Sequence, residues 1–169
     1  PKDMEKREAI LDAAMRLFAE RGLEGVPTEA IAAAAGVSKV TIYANFKDKS
    51  AILEAIVCRE TERLGRKVAE IAQSDGSLSD RLTRVGLALM AMLSEPCHLA
   101  LDRCLGMEAL RSPDLARRFF EAGPGHMRSL LAGILNEAVA AKEITLGSTV
   151  TAAEDLLALW MGFSNVERR

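Results

Sequence analysis

The sequence is poor in the residues that carry most catalytic and metal-binding chemistry. It contains two histidines and three cysteines, and Cys58, Cys97 and Cys104 fit no CxxC spacing. Scattered thiols of this kind exclude a disulfide framework and indicate a reducing compartment. The sequence also lacks a glycine-rich phosphate loop and a visible nucleophile–base pair. We therefore predict that the protein is not an enzyme and that it has no catalytic residue, metal site or cofactor.

One alternative to this prediction is a metal or redox sensor. Two cysteines and two histidines in the second half of the chain suggest a metal or redox sensor: Cys97, His98, Cys104 and His126. Their spacing matches no zinc pattern, so we do not favour this alternative.

Long apolar runs and alternating strand patterns are missing as well. No run reaches the roughly 18 residues of a membrane span, and the first residues are charged, unlike a signal sequence. We therefore expect a soluble, cytoplasmic protein without a membrane partner. Aromatic residues make up only 4% of the chain while 49% is hydrophobic, and helix-forming residues are abundant. The sequence predicts an all-α fold of about nine helices.

The stretch Thr28–Lys49 predicts two short helices joined by a sharp turn. Thr28 is the expected N-cap of the first helix, Gly36 supplies the positive φ of the turn, and Ser38 caps the second helix. Within the second helix Ile42 and Phe46 are four residues apart, so both are expected to pack inward. A short helix that buries two apolar residues and exposes polar ones suits the major groove of DNA.

This stretch also resembles a known family. The segment VSKVTIYANFKDKSAIL resembles the recognition helix and following turn of the tetracycline-repressor (TetR) family of bacterial transcription regulators. The resemblance continues upstream through ILDAAMRLFAERGLEGVPTEAIAAAAG, and downstream SPDLARRFFEAGP is similar to an AcrR-like branch of regulatory domains. It implies an N-terminal three-helix helix-turn-helix domain, residues 1–48. A long helix would join it to a helical domain for ligand binding and dimerisation, residues 49–169.

Within the DNA-reading segment, roles follow from side-chain chemistry. Thr41 and Asn45 suit base edges, lysines suit phosphates, and the resemblance implies a backbone contact for Tyr43. The predicted DNA-binding residues are Thr28, Ser38, Lys39, Thr41, Tyr43, Asn45, Lys47 and Lys49. The formal net charge of the whole chain is −2, so positive charge must be local, and Val37–Lys49 holds three lysines against one acid. Family members often carry His at Ala44 and many carry Gly at Val40, so backbone affinity or target sequence is expected to differ.

The second half of the chain is expected to hold an effector pocket and a dimer interface. The resemblance implies that the last two long helices, about residues 127–141 and 153–163, pair with those of a second copy. Apolar residues along the later helices are the candidate pocket lining, although core packing is the commoner role for each one. The candidates are Leu64, Val68, Met90, Leu101, Met107, Phe119, Phe120, Met127, Leu131 and Trp160.

Together these features predict a ligand-responsive transcriptional regulator. As a repressor, it would bind a palindromic double-stranded DNA operator as a homodimer and leave it when a small, mostly apolar effector binds. Two alternatives stay open at this point: a transcriptional activator of the same fold, and a helical protein-interaction module that does not bind DNA. The operator, the effector and the regulated genes cannot be read from the sequence.

Overall fold

The structure, a computed structural model, describes residues 2–167 and the side chains of residues 3–107, 109–110, 112–114 and 116–162. Over the described chain the fold is 82% helical and contains no strand. The α-helices in this range are α1 (Lys2–Arg21), α2 (Thr28–Ala35), α3 (Lys39–Asn45), α4 (Lys49–Ala72), α5 (Leu78–Leu93), α6 (Pro96–Arg111), α7 (Pro113–Phe120), α8 (His126–Ala140) and α9 (Thr149–Glu167). One π-helical turn, Glu121–Gly125, joins α7 to α8. If α7, this turn and α8 are counted as one helix, the described chain has eight helices. The predicted all-α class is confirmed.

The chain forms two compact units, and α4 contributes residues to both. The first unit comprises Pro1–Arg59 with Glu95–Phe119, and the second comprises Glu60–Ser94 with Phe120–Arg169. The boundary predicted at residue 48 was drawn between the expected DNA-binding and effector-binding functions. It does not coincide with a division between the two compact units, and it stays a prediction.

The core of the first unit is organised around α1. This helix packs against α2 and α6, and α2 packs against α3. Its predicted apolar stripe is buried at Ile10 and Phe18, and the first half of α4 buries Ile52 and Ile56 in the same unit. The thiol of Cys104 on α6 donates a hydrogen bond to the carbonyl oxygen of Phe18, with Sγ and O 3.2 Å apart. These contacts provide the frame on which α2 and α3 rest.

The core of the second unit combines the later part of α4 with α5, α8 and α9. In this unit α9 packs against both α8 and α5. Leu64 and Val68 are buried in this core, as the helical pattern of α4 predicts. Gly65 is buried beside them, and a Cβ added there would come 3.2 Å from Cδ1 of Leu130. Gly65 therefore lies in a closely packed position, where the absence of a side chain leaves room for Leu130.

The local signals around the short helices of the first unit are largely confirmed. Gly36 follows α2 with φ +65°, and Ser38 caps α3, its Oγ accepting a hydrogen bond from the amide of Thr41. The prediction for Thr28 is wrong in one respect. Pro27 occupies the N-cap position of α2 without a side-chain hydrogen bond, and Thr28 is the first residue of the helix. A proline suits that place because the extended backbone before a helix matches its fixed φ.

No single described helix is long and apolar enough to cross a membrane; only α5 taken together with the first part of α6 reaches that length and composition. Among the described side chains, no group of three or more histidines, cysteines and carboxylates is arranged to hold a metal ion. His98 and Cys104 are buried in the first unit, and Cys97 is half-buried there.

Gly86 on α5 lies directly against the indole of Trp160 on α9. A Cβ added to this glycine would lie 2.7 Å from Cε2 and 2.9 Å from Nε1 of the Trp160 indole. Atoms cannot approach so closely without displacement, so the absence of a side chain at Gly86 lets the indole pack against α5. Trp160, the only tryptophan in the chain, packs in this way against the apolar core of the second unit.

We predict that Gly86→Ala displaces the indole of Trp160 and destabilises the fold. Overpacking of this kind costs about 1–3 kcal/mol. Chemical denaturation followed by tryptophan fluorescence should show a lower midpoint and a shifted native emission maximum. The matched control is Gly106→Ala on α6, where an added Cβ meets nothing within 4 Å. That variant should gain roughly 0.5–1 kcal/mol from helix propensity. Equal stability of the two variants, with unchanged emission, would refute the packing role of Gly86.

Candidate nucleic-acid interface

One side of α3 is anchored in the first unit, and the other side faces outward. Ile42 is 1% exposed and Phe46, which follows the helix as its C-cap, is 5% exposed. The guanidinium of Arg7 lies 5.2 Å from the centroid of the Phe46 ring, a cation–π contact that ties α1 to this anchor. Tyr43 is 52% exposed, and Asn45 is exposed as well. The predicted inward and outward faces of α3 are therefore both present.

The hydroxyl and amide groups of α3 are joined by local hydrogen bonds. The hydroxyl groups of Ser38 and Thr41 lie 2.8 Å apart, and the amide of Thr41 donates to Ser38 Oγ at 3.1 Å. Asn45 Nδ2 donates to the carbonyl oxygen of Thr41 at 2.8 Å. The NH₂ group of Asn45 has a second hydrogen and its Oδ1 is a separate acceptor, so this side chain retains capacity for a base edge. Direct base contacts by Thr41 and Asn45 stay predictions.

Lys39 at the start of α3 is held by two neighbours. Its Nζ donates a hydrogen bond to Oε1 of Glu29 on α2, and it lies 5.8 Å from the centroid of the Tyr43 ring. The hydrogen bond from Lys39 holds the pKa of Glu29 below its usual value of 4.5, and the same bond raises the pKa of Lys39. Both groups are therefore charged near neutral pH, and their attraction weakens as acid protonates Glu29 or as base deprotonates Lys39. A DNA phosphate approaching Lys39 would have to compete with this carboxylate.

The two lysines that follow α3 differ in their surroundings. Lys47 is exposed, whereas the half-buried Lys49 turns its ammonium towards the connection between α1 and α2. There Lys49 Nζ donates to the carbonyl oxygen of Leu23 at 2.8 Å and lies 3.5 Å from that of Glu24. Lys49 thus ties the start of α4 to the segment that leads into α2. Its predicted phosphate contact is untested, and this geometry gives it a positioning role as well.

The predicted effector residues fall into four groups. Leu64, Val68, Met127 and Leu131 lie in one buried cluster of the second unit, and Trp160 packs against that cluster. Met90, also in this unit, is half-buried. Leu101 and Phe119 are buried in the first unit, whereas Met107 and Phe120 are exposed. The structure therefore brings five of the ten together, and the effector site stays a prediction.

Two further residues of α3 face outward and are not among the predicted DNA-binding residues. Val40 is 78% exposed and Ala44 is exposed one helical turn later. Successive helical residues are rotated by about 100°, which places both of them away from Ile42. The sequence named these two positions only as departures from the usual residues of the family.

Comparison with known protein families gives two matches that together span most of the chain. Residues 10–56 match the family described as bacterial regulatory proteins, tetR family. Residues 80–169, more than half of the chain, match the family described as AefR-like transcriptional repressor, C-terminal domain. The first match contains α2 and α3 with their connecting turn, and the second covers α5 to α9.

Individual proteins show the same similarity. The uncharacterized HTH-type transcriptional regulator YvkB of Bacillus subtilis is 36% identical over 84 residues, which are 50% of this chain but only 43% of YvkB. A crystal structure from Mesorhizobium loti, assigned to the TetR family of transcriptional regulators, superposes with a TM-score of 0.83 at 26% identity, covering 95% of this chain and 82% of that one. FadR from B. subtilis in complex with stearoyl-CoA has a TM-score of 0.75 at 25% identity, covering 90% and 82%.

We predict that Lys47 and Lys49 contribute to DNA binding in different ways, which salt dependence separates. Lys47→Gln should lower the slope of log K against log [salt] by about one for each lysine removed, because an exposed lysine on a phosphate releases counterions. Lys49→Gln should weaken binding at every salt concentration while the slope stays unchanged, because its ammonium binds backbone carbonyls. Equal loss of slope in both variants would show that Lys49 also contacts a phosphate.

We predict that Glu29→Gln strengthens DNA binding by roughly three- to tenfold at low salt. The substitution frees the Lys39 ammonium and removes a negative charge beside the proposed phosphate path, and both effects are screened by salt. Fluorescence anisotropy with labelled DNA measures the change. Glu62→Gln, at an exposed carboxylate on α4, is the matched control and should leave the affinity almost unchanged. Weaker binding by Glu29→Gln would show instead that Glu29 holds Lys39 in its DNA-binding position.

Proposed function

The chain belongs to the TetR family of bacterial transcriptional regulators, and from this we propose that it is a repressor released from DNA by an effector. In this proposal a homodimer binds a palindromic operator through the two copies of α3. A small, mostly apolar effector then binds within the second half of the chain and lowers operator affinity. The observation that carries the proposal is α3 itself. Its anchor residues Ile42 and Phe46 are buried, whereas Tyr43 and Asn45 are exposed where a major groove can receive them.

Dimerisation is supported by exposed apolar side chains on the last helices. Leu159 and Met161 on α9 and Val150 in its first turn are exposed. Beside them in the second unit lies an open groove of about 520 Å³, lined largely by leucine and isoleucine side chains of α5, α8 and α9 and the loop before α9. Phe163, at the end of the predicted interface, lies outside the described side chains. A second copy covering these surfaces would bury apolar area and present two α3 helices to successive major grooves about 34 Å apart.

The effector class is inferred from the apolar core of the second unit and from one structural neighbour. The clustered residues Leu64, Val68, Met127 and Leu131 are all apolar. FadR of B. subtilis, which shares this fold, has been solved with stearoyl-CoA. A long acyl chain fits the mostly apolar effector proposed here. Such a ligand shifts the protein away from its DNA-binding state only to the extent that it binds another state more tightly.

We predict that the full-length chain selects a palindrome from a pool of random duplex DNA. The two half-sites should lie about 10 base pairs apart, centre to centre, or a multiple of that spacing. Sequencing of the bound fraction identifies the operator, and sedimentation of the complex gives its stoichiometry. Tyr43→Ala should lower affinity for the selected operator at least about tenfold, whereas Lys67→Ala, at an exposed residue of α4, should not. Recovery of no preferred sequence would contradict the proposal.

The effector is tested with the same operator DNA. Stearoyl-CoA should release the protein from the operator. It should also change the emission of Trp160, because that indole packs on the core where the ligand is proposed to bind. Acetyl-CoA, which shares the headgroup without the long chain, is the control and should do neither. An emission change without release of DNA would support ligand binding and refute derepression by this ligand. Activation of transcription by the DNA-bound protein would replace the repressor assignment.

A further inference from the structure

One of the outward residues of α3 is a valine, Val40. Successive residues of an α-helix are rotated by about 100°, so Val40 lies about 160° from Ile42, the residue that anchors α3 in the core. Its exposure of 78% agrees with that position. Thr41 and Asn45 lie about 100° and 60° from Ile42, so they occupy the flanks of the helix. An outward position of α3 is therefore occupied by an apolar side chain.

Helix stability does not account for a valine at this position. Valine is a poorer helix former than alanine or lysine, because its branched side chain loses rotamer freedom against the preceding turn. At 78% exposure it also gains little from burial within the chain itself. Ala44, one turn further along, extends the same exposed apolar strip. A gain from this strip therefore requires an external apolar surface.

The polar neighbours of this strip are already engaged with one another. Thr41 is bonded to Ser38, Asn45 donates to the Thr41 carbonyl oxygen, and Lys39 is held by Glu29. The side chains of Val40 and Ala44 have no hydrogen-bond donor or acceptor. An approaching major groove would meet the apolar strip with the polar groups on either side of it.

We propose that Val40 reads the 5-methyl group of a thymine in the operator, with Ala44 extending the apolar surface beside it. The inference rests on the proposed function, since it requires that α3 enters a major groove. Among the four bases only thymine presents a methyl group there, so an apolar side chain at this point selects for it. Burial of one methyl group corresponds to about a fourfold change in affinity for each half-site. Val40 is thereby a specificity-determining residue.

Deoxyuridine tests the proposal because it differs from thymidine only by the missing methyl group. Each thymine of the selected operator is replaced in turn by deoxyuridine, in both half-sites together, and the affinity is measured by fluorescence anisotropy. For the unmodified protein, one symmetric pair of replacements should weaken binding by roughly tenfold or more, the product of about fourfold in each half-site. The other replacements should have smaller effects.

Variants at position 40 connect that loss to the side chain. Val40→Ala shortens the side chain, and Val40→Thr keeps its shape but replaces a methyl group by a hydroxyl. Both should show a smaller preference for the thymine operator over the deoxyuridine operator than the unmodified protein, because each keeps only part of the apolar contact. Both should also fold normally, because the side chain is so largely exposed. Leu87→Ala is the matched control: Leu87 on α5 is likewise apolar and largely exposed, at 65%, and this variant should keep the full preference for thymine.

The outcomes separate this inference from the proposed function. A specific operator whose thymine methyl groups can all be removed without loss overturns the role of Val40 alone. So does a loss that is the same size in Val40→Ala as in the unmodified protein. Failure to select any operator overturns the proposed function and the role of Val40 with it.

Discussion

The burial of Ile42 and Phe46 fixes the orientation of α3 and so determines which of its residues face outward. A seven-residue helix is too short to be stable alone, so its orientation comes from this burial and from the Ser38 cap. With these two side chains fixed, the rotation of the helix is set, and Val40, Tyr43 and Ala44 are placed outward. The core around α1 provides the surface on which the anchors rest. The side chains that α3 can present to DNA are set by that rotation.

Electrostatics around α3 is local and partly balanced within the protein. The whole chain carries a formal net charge of −2, and two of the three lysines near α3 already have partners inside the first unit. Lys39 is held by a carboxylate, and Lys49 by backbone carbonyls. Such pairing favours modest non-specific attraction to DNA and leaves a larger share of selectivity to contacts with bases. This balance suits a regulator that has to find one operator among many competing sequences.

Local sequence patterns predicted much of this arrangement because the interactions behind them are local. The turn at Gly36, the Ser38 cap and the inward side of α3 each depend on residues within four positions of one another. The pairing of Lys39 with Glu29 spans ten residues and that of Lys49 with Leu23 spans 26, so both required the packed helices. Thr28 was misassigned as a cap because Pro27, without a side-chain hydrogen bond, takes that position. The sequence shows a valine at position 40, but only the structure shows that its side chain is 78% exposed.

Photocrosslinking to an operator that carries 5-iodouracil in place of thymine tests the orientation of α3 most directly. The iodine occupies the position of the thymine methyl group, and the crosslinked peptide can be identified by mass spectrometry. Tyr43 is the only tyrosine in the chain and lies on the outer face of α3, so crosslinks should map to the peptide that contains it. Crosslinks that map only to α5–α9 would contradict the account, because a different part of the chain would then lie against the bases.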